Sequence, residues 1–203
     1  IVFLKGLCGV ESANCGPSEI LCIADSSTSP DIAASSMIAQ SEHSPDAMSI
    51  LITKDRKLIN KIKKSIKDQL KNLPRNRIAR KSLNNYGMII YAKDDKKIIT
   101  ISNFIAPEHI EVLSKNYKRY LSCNLVAGSV CIGPYSSMAL SDYGPTQHSL
   151  PTISSAKFSS GLGVKDFVIQ TSYNELSKKG VAKLAKSGIL LSETESLIGH
   201  TRS

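Results

Sequence analysis

The stretch EILCIADSSTSPDIAASSMIAQSEHSPDAMSILIT, residues 19–53, decides the fold. It contains two short apolar runs, EILCIAD and MSILIT, separated by a segment of helical length. Pro30, just before DIAASSMIAQ, suits the entrance of a helix, and the pattern predicts a helix over residues 31–43. Two strand-length runs joined through a helix are typical of parallel strands, so the stretch predicts a parallel α/β sheet.

The same alternation continues along the chain. A basic helical segment follows, then the apolar run GMIIYA at residues 87–92, a mixed segment that ends near Asn103, and the run AGSVCIG at residues 127–133. Gly128 and Gly133 bracket the predicted strand SVCI. Neither G-x-G-x-x-G after a strand nor G-x-x-x-x-G-K-[ST] occurs, so the sequence lacks the standard phosphate-binding motifs.

The C-terminal part of the chain differs in character from the rest. We divide the sequence into an α/β domain over residues 1–163 and a helical tail over residues 164–203. Within the tail, helices are predicted over residues 174–186 and 192–199, the second beginning with a capping box at Ser192. A tail this short cannot bury its own apolar face, so we expect it to pack on the main domain or on a second subunit.

Positive charge is concentrated in one segment. The chain of 203 residues has a formal net charge of +9, and residues 54–81 contain twelve Lys or Arg against two Asp or Glu. Apolar residues recur at helical spacing in this segment, at Ile59, Ile62, Ile66, Leu70 and Leu73. The pattern predicts an amphipathic helix with a solvated, lysine-rich face. The alternative is the phosphate-binding face of a nucleic-acid-binding module, but the segment has no aromatic residue for base stacking, and we expect no nucleic-acid partner.

The remaining composition favours a cytoplasmic location. No apolar run approaches the roughly 18 residues that a membrane-spanning helix needs, so we expect no membrane association. The five cysteines form no C-x-x-C pair and no secretion signal precedes them, which fits reduced thiols. Cys22 and Cys131 lie in apolar runs and are expected in the core. The chain begins with Ile, and we expect it to be a piece of a longer protein.

A first polar pair lies in the stretch AQSEHSPDA. Gln40 and His43 are three residues apart, which places both side chains on one face of the predicted helix. Imidazole nitrogen and amide oxygen are donors that Zn²⁺ accepts, so the pair is either half of a metal site or the polar face of a surface helix. Further metal ligands must come from elsewhere in the chain, and Asp142 and His200 are candidates by residue type.

A second polar pair, Glu108 and His109, lies in the stretch APEH. Adjacent residues in a loop or strand diverge in direction, so this pair suits two proton-transfer steps at two points on one substrate. The alternative is a solvent-facing glutamate beside a hydrogen-bonded structural histidine.

Six motifs together carry a resemblance to a known family. They are GPSEILCIAD, AQSEHSPDA, ISNFIAPEHIEV, AGSVCIG, SDYGPTQHSLPT and ESLIGH. In this order and at these spacings they closely resemble the C-terminal half of histidinol dehydrogenase, from Gly16 to His200. The resemblance implies an α/β fold in which a parallel-sheet, Rossmann-like but incomplete domain precedes the small helical tail.

The resemblance also implies an activity and a set of site residues. The family is zinc-dependent and uses NAD to oxidise L-histidinol, via L-histidinaldehyde, to L-histidine at the end of histidine biosynthesis. Glu108 and His109 match its catalytic acid–base pair. The residues that match its zinc ligands are Gln40, His43, Asp142 and His200. The residues that match its substrate contacts are Ser18, Gln40, His43, His109, Asp142, Glu195 and His200, with His148 as a further match.

The resemblance implies a homodimer whose helical tail crosses to the partner subunit and supplies His200 and a substrate contact there. The chain departs from the family pattern near His148, where Ser141 and Gln147 stand in place of the usual Gly and Asn. Family members contact NAD through their N-terminal half, so no cofactor-binding residue is expected in this chain, which we expect to be inactive alone. The alternative is a zinc-binding remnant without activity.

Overall fold

The fold is a parallel α/β sheet. The computed structural model describes residues 16–144 and 148–203, and in these residues five strands form one sheet. The strands are β1 (Glu19–Ala24), β2 (Met48–Thr53), β3 (Gly87–Tyr91), β4 (His109–Val112) and β5 (Ser129–Ile132). Their order is β3-β2-β1-β4-β5, and every neighbouring pair is parallel. This is the strand order of the Rossmann fold, so the predicted parallel, Rossmann-like α/β class is confirmed.

Helices cover both faces of the sheet. The helices of the described residues are α1 (Pro30–Ser41), α2 (Arg56–Gln69), α3 (Asn76–Tyr86), α4 (Asp95–Ile105), α5 (Met138–Asp142), α6 (Lys178–Thr194) and α7 (Ile198–Arg202). Side chains alternate between the faces of a strand. Ile20 and Cys22 of β1 therefore pack with α1 and α2, whereas Leu21 and Ile23 pack on the other face with Ile98 of α4. Each face buries its own apolar cluster, and β1 and β4 lie in the interior of the sheet.

The basic segment forms two helices rather than the single helix predicted. It breaks between α2 and α3, where Pro74 lacks a backbone donor and restricts the residue before it. Leu58 and Ile62 are buried against the α1 face of the sheet, and Leu70 packs in a small cluster with Ile38 and Ala79. The amphipathic pattern is confirmed, because these apolar side chains are buried while most of the lysines of α2 are exposed.

Helix α1 ends two residues earlier than predicted, and this changes the relation of Gln40 to His43. The Ser41 hydroxyl donates to the Met37 carbonyl oxygen at 2.8 Å, and Pro45 disfavours helical backbone at the residue before it. His43 lies in the turn after the helix and is exposed, whereas Gln40 is 1% exposed. The prediction that both side chains share one helix face is therefore wrong.

Contacts divide the chain into two units, Ile1–Asp166 and Phe167–Ser203. In the second unit the predicted helix boundaries were wrong. The Ser177 hydroxyl accepts from the Gly180 N–H at 3.1 Å and begins α6 there, and Ser192 lies inside α6 rather than at a cap. No residue of α6 or α7 is buried. No helix formed by the described residues is both long enough and apolar enough to cross a membrane.

The cysteines of the sheet are core residues, as predicted. Cys22 and Cys131 are buried and Cys123 is half-buried, all three as free thiols. Cys8 and Cys15 lie outside the described residues, as does Gln147.

Candidate acid–base site at the amino edge of the sheet

The predicted site residues of the first unit meet at the amino edge of the sheet, where β1 and β4 begin. Ile20 of β1 pairs with His109 of β4, so the residues just before them, including Ser18 and Glu108, lie at the same edge. A crossover helix between parallel strands runs back towards this edge. The end of α1 therefore brings Gln40 to the level at which His109 enters the sheet.

His109 lies between two carboxyl groups. Its Nε2 atom is 3.6 Å from Glu108 Oε1 and 3.8 Å from Asp142 Oδ1. His109 is buried, and the Glu108 and Asp142 side chains are only 12% and 13% exposed. The expectation that Glu108 and His109 diverge is wrong, because Glu108 precedes β4 and its side chain turns back towards the imidazole. The two side chains can therefore exchange protons with the same part of a bound substrate.

The backbone before β4 fixes the position of Glu108. Ala106 ends α4 in a left-handed conformation, with φ of 46°, and the buried Pro107 follows. The Ser129 N–H donates to the Glu108 carbonyl oxygen at 2.8 Å, and a Cβ atom on Gly128 would lie 2.8 Å from that oxygen. Only glycine permits this close approach, so the start of β5 holds the start of β4.

Two further carboxyl groups, neither of them among the predicted site residues, support the site. Glu19, 6% exposed, exchanges hydrogen bonds with Glu108: each backbone N–H donates to the other residue's carboxylate, at 3.0 and 3.2 Å. Glu111, 1% exposed, accepts a hydrogen bond from the Met138 N–H and so holds the beginning of α5, the helix that carries Asp142. The alternation of polar and apolar residues in HIEV is typical of a strand, and it places the Glu111 side chain on the same face as His109.

Burial and neighbouring charges shift the pKa values of the central pair in opposite senses. Burial raises the pKa of Glu108 to about 7; the Glu19 N–H bond opposes the rise, the charges of Asp142 and Glu19 add to it, and the His148 charge opposes it. Burial lowers the pKa of His109, with Asp142 acting against the shift and His148 and His43 acting with it. Near neutral pH the site therefore combines a carboxyl group that can gain or lose a proton with a neutral imidazole.

Buried polar atoms without partners mark the same edge. Among the described residues, both amide atoms of Gln40 and the Nδ1 atom of His109 are buried and have no hydrogen-bond partner. Such groups are rare in folded proteins because each costs about 1–3 kcal/mol. His43 is near enough to this region for its charge to lower the pKa of His109, and its carbonyl oxygen accepts from Arg75 Nη2 at 3.3 Å.

These donors suit a borderline metal ion. The Gln40 amide oxygen, the His43 imidazole and the Asp142 carboxylate are ligand types that Zn²⁺ accepts, and the unpartnered amide of Gln40 is free to bind one. Over residues 16–144 and 148–203, no group of three or more His, Cys, Asp or Glu side chains is arranged to hold a metal ion. A complete four-ligand zinc site therefore needs the Gln40 amide oxygen and at least one ligand besides Gln40, His43 and Asp142.

The other predicted site residues lie in different surroundings. His148 is 61% exposed, and its Nε2 atom is 4.0 Å from Asp142 Oδ1, so it lies at the rim of the acid–base cluster. Ser18 is half-buried and its carbonyl oxygen accepts from the Met48 N–H at 3.0 Å. Glu195 ends α6 and His200 lies in α7, so both belong to the second unit.

A parallel sheet in Rossmann order, with a buried imidazole between two carboxyl groups at its amino edge, defines a Rossmann-like α/β protein with an acid–base site. The family profile described as histidinol dehydrogenase matches residues 2–203. The chain belongs to the histidinol dehydrogenase family.

Individual relatives agree with this assignment. Histidinol dehydrogenase of Pelagibacter ubique is 46% identical over 196 residues, which cover 96% of this chain and 46% of the relative. The Listeria monocytogenes enzyme is 41% identical over 190 residues, covering 93% of this chain and 44% of the relative. The crystal structure of histidinol dehydrogenase from Elizabethkingia anophelis superposes with a TM-score of 0.80 at 32% identity, covering 93% of this chain and 43% of that one. The chain thus spans about half the length of the relatives it matches.

Proposed function

We propose that the chain carries the zinc- and substrate-binding part of a histidinol dehydrogenase, a cytoplasmic enzyme that oxidises L-histidinol to L-histidine in two NAD-dependent steps. The observation that carries the proposal is the pairing of a neutral imidazole with a carboxyl group of pKa about 7, 3.6 Å apart in a chain of this family. Oxidation of an alcohol and then of an aldehyde needs a proton acceptor at each step, and these two groups supply them.

His109 serves the first oxidation. Its burial keeps the imidazole neutral near pH 7, so Nε2 can accept the proton of the substrate hydroxyl group. NAD, when bound, would accept the hydride from the carbon atom that carries this hydroxyl group. Asp142, 3.8 Å from Nε2, stabilises the imidazolium that forms. The product of this step is the aldehyde.

Glu108 serves the second oxidation. Water must add to the aldehyde before a second hydride can leave, and a carboxylate is a suitable base for that water. A pKa of about 7 lets Glu108 accept the proton and release it again at neutral pH. Its 3.6 Å approach to His109 allows both steps to occur at one substrate position.

Gln40, His43 and Asp142 supply the first unit's ligands for zinc, and His200 is the proposed fourth. When bound, the ion holds and orients the imidazole and amine of the substrate. Ser18 and Glu195 are proposed substrate contacts.

We further propose that the protein is a homodimer and that the second unit crosses to the partner subunit. This unit exposes many large apolar side chains, a surface that a partner would cover: Val181, Leu184, Ile189, Leu190, Leu191 and Ile198. Contacts to NAD are proposed to come from the part of the enzyme that corresponds to the other half of its relatives.

Metal content and turnover test the proposal. The purified chain should bind zinc, and His43→Ala should lower its zinc stoichiometry, whereas Glu42→Ala, a change at the preceding residue, should leave it unchanged. The chain alone should form no NADH from L-histidinol. Stoichiometric zinc in His43→Ala would refute the assignment of His43 as a ligand. Rapid NADH formation by the chain alone would refute the proposal that the NAD contacts come from protein outside it.

A further inference from the structure

Glu19 and Glu108 are joined by a reciprocal pair of hydrogen bonds. The Glu19 N–H donates to Glu108 Oε2 at 3.0 Å, and the Glu108 N–H donates to Glu19 Oε2 at 3.2 Å. The Ile153 N–H also donates to Glu19 Oε2, at 3.2 Å. One carboxylate oxygen of Glu19 therefore links three segments that lie far apart in the sequence: the start of β1, the start of β4 and the loop at Ile153.

This pairing determines which oxygen of Glu108 faces the imidazole. Because Oε2 accepts from the Glu19 backbone, the other oxygen, Oε1, is the one that lies 3.6 Å from His109 Nε2. Glu19 is 6% exposed, so water has little access to compete for its carboxylate. Without the Glu19 carboxylate, the Glu108 and Ile153 N–H groups lose their acceptor, so the loop that places Glu108 beside His109 is held less firmly; the Glu19 N–H, a main-chain donor, remains.

We propose that Glu19 is a positioning residue that fixes the carboxyl group of Glu108 beside His109. The role of Glu108 in proton transfer rests on the proposed function, but the orientation of its carboxyl group does not. In the motif GPSE, the resemblance to the family makes Ser18 a substrate contact and leaves Glu19 without a role. The geometry gives Glu19 the role of holding Glu108 in place.

The charge of Glu19 and the hydrogen bond from its backbone N–H shift the pKa of Glu108 in opposite directions: the charge raises it and the hydrogen bond lowers it. Besides its neighbour His109, the charged groups that face Glu108 are Glu19 at the start of β1, Asp142 from α5 and His148 from the loop that follows α5. The charges of Glu19 and Asp142 add to the effect of burial in raising the pKa of Glu108, and His148 opposes them. Burial also raises the pKa of Glu19 itself, against the two backbone donors from Glu108 and Ile153. Replacing Glu19 should therefore change how readily Glu108 releases its proton.

The test is an NMR titration of Glu108 in the complete 203-residue chain, without zinc or substrate. Carboxyl carbons of glutamate are labelled with ¹³C, and the Glu108 signal is assigned by its loss in Glu108→Gln. Glu19→Gln removes the charge but keeps an oxygen that can accept from the Glu108 and Ile153 N–H groups. Glu19→Ala removes both the charge and this acceptor. Glu111→Gln is the matched control, because it neutralises another buried glutamate, in β4, that accepts from a different backbone N–H, that of Met138.

We expect the titration midpoint of Glu108 to fall in Glu19→Gln and in Glu19→Ala, and to stay unchanged in Glu111→Gln. Glu19→Ala should also broaden the Glu108 signal, because the Glu108 backbone N–H loses the acceptor that holds this loop in one conformation. If Glu19→Ala does not fold, Glu19→Gln alone decides. An unchanged midpoint in Glu19→Gln, or an equal fall in Glu111→Gln, would overturn the proposal. Neither result depends on metal or histidinol binding, so the outcome is separable from the test of the proposed function.

Discussion

Replacement of Glu108 by Gln should stabilise the folded chain at high pH. Burial raises the pKa of this carboxyl group to about 7 from its ordinary value of 4.5, so the folded state favours the protonated form. Its contribution to stability is fully present below about pH 4.5 and is lost as the pH rises through about 7. A glutamine has nearly the same shape as the protonated acid and cannot lose a proton, so the variant should not suffer this loss.

The size of the effect follows from the change in proton affinity. Each tenfold change in affinity between the folded and unfolded states corresponds to about 1.4 kcal/mol, so a rise from 4.5 to about 7 corresponds to about 3 kcal/mol. The Glu108 side chain is only 12% exposed, so solvent screening reduces this figure modestly. Glutamine can also keep the acceptor for the Glu19 N–H, which lies 3.0 Å from Oε2 in the parent chain.

Urea denaturation at pH 5 and pH 8 measures this difference. We expect Glu108→Gln to exceed the parent in free energy of unfolding by only about 1 kcal/mol at pH 5 and by about 3 kcal/mol at pH 8. Groups that titrate equally in both proteins cancel in the comparison. A variant that is less stable than the parent at pH 8, or whose advantage does not grow with pH, would refute the assignment of a raised pKa to Glu108.

Three other substitutions test the surroundings of the site. Gln40→Met removes two buried polar atoms that lack partners, so it should stabilise the metal-free chain by about 1–3 kcal/mol in urea denaturation while lowering zinc content; a less stable variant would mean that the amide is satisfied. Glu111→Ala leaves the buried Met138 N–H without its acceptor and should cost about 2–4 kcal/mol, with a smaller loss for Glu111→Gln. Gly128→Ala places a Cβ atom 2.8 Å from the Glu108 carbonyl oxygen and should lower the melting temperature, with a cost of about 1–3 kcal/mol; an unchanged melting temperature would show that β5 does not hold β4 at this point.

The parallel sheet could be predicted because its signal is local. The runs EILCIAD and MSILIT are apolar on both faces, which is typical of strands covered by helices on each side. Strand β4 was not predicted as a strand, because HIEV alternates polar and apolar residues over only four positions. Its two polar side chains, His109 and Glu111, are nevertheless buried, since they face Asp142 and the start of α5 rather than water.

The supporting half of the site could not be predicted, because its contacts are long-range. Glu19 stands between the motif GPS and the apolar run ILCIA, where a charged side chain fits a solvent-exposed strand end equally well. Its partners are the N–H groups of Glu108 and Ile153, which are 89 and 134 residues away. The family resemblance assigned residues that touch zinc and substrate. Residues that act by holding other residues appear only when the strands are placed side by side.

The position of the site within the fold bears on where the cofactor binds. Rossmann-like sheets usually bind nucleotides at the carboxyl ends of their strands, at the switch point that here lies between β1 and β4. In this chain that edge holds Asp25, just after β1. Its carboxylate accepts from the Ser27 and Ser114 hydroxyls and pairs with Arg119 at 3.0 Å. Burial pushes the pKa of Asp25 upward, but these hydrogen bonds and the Arg119 charge outweigh it and leave the pKa below its ordinary value, so the carboxylate keeps its negative charge.

Because Asp25 pairs with Arg119, this guanidinium group is already engaged within the chain and is not available to pair with a phosphate group at the switch point. The candidate acid–base site lies at the opposite edge, where strands begin and α1 ends. The carboxyl edge is thus occupied by an internal ion pair, while the amino edge keeps the buried, unpartnered amide of Gln40. This division supports the proposal that this unit supplies substrate and metal contacts and that NAD approaches from protein outside it.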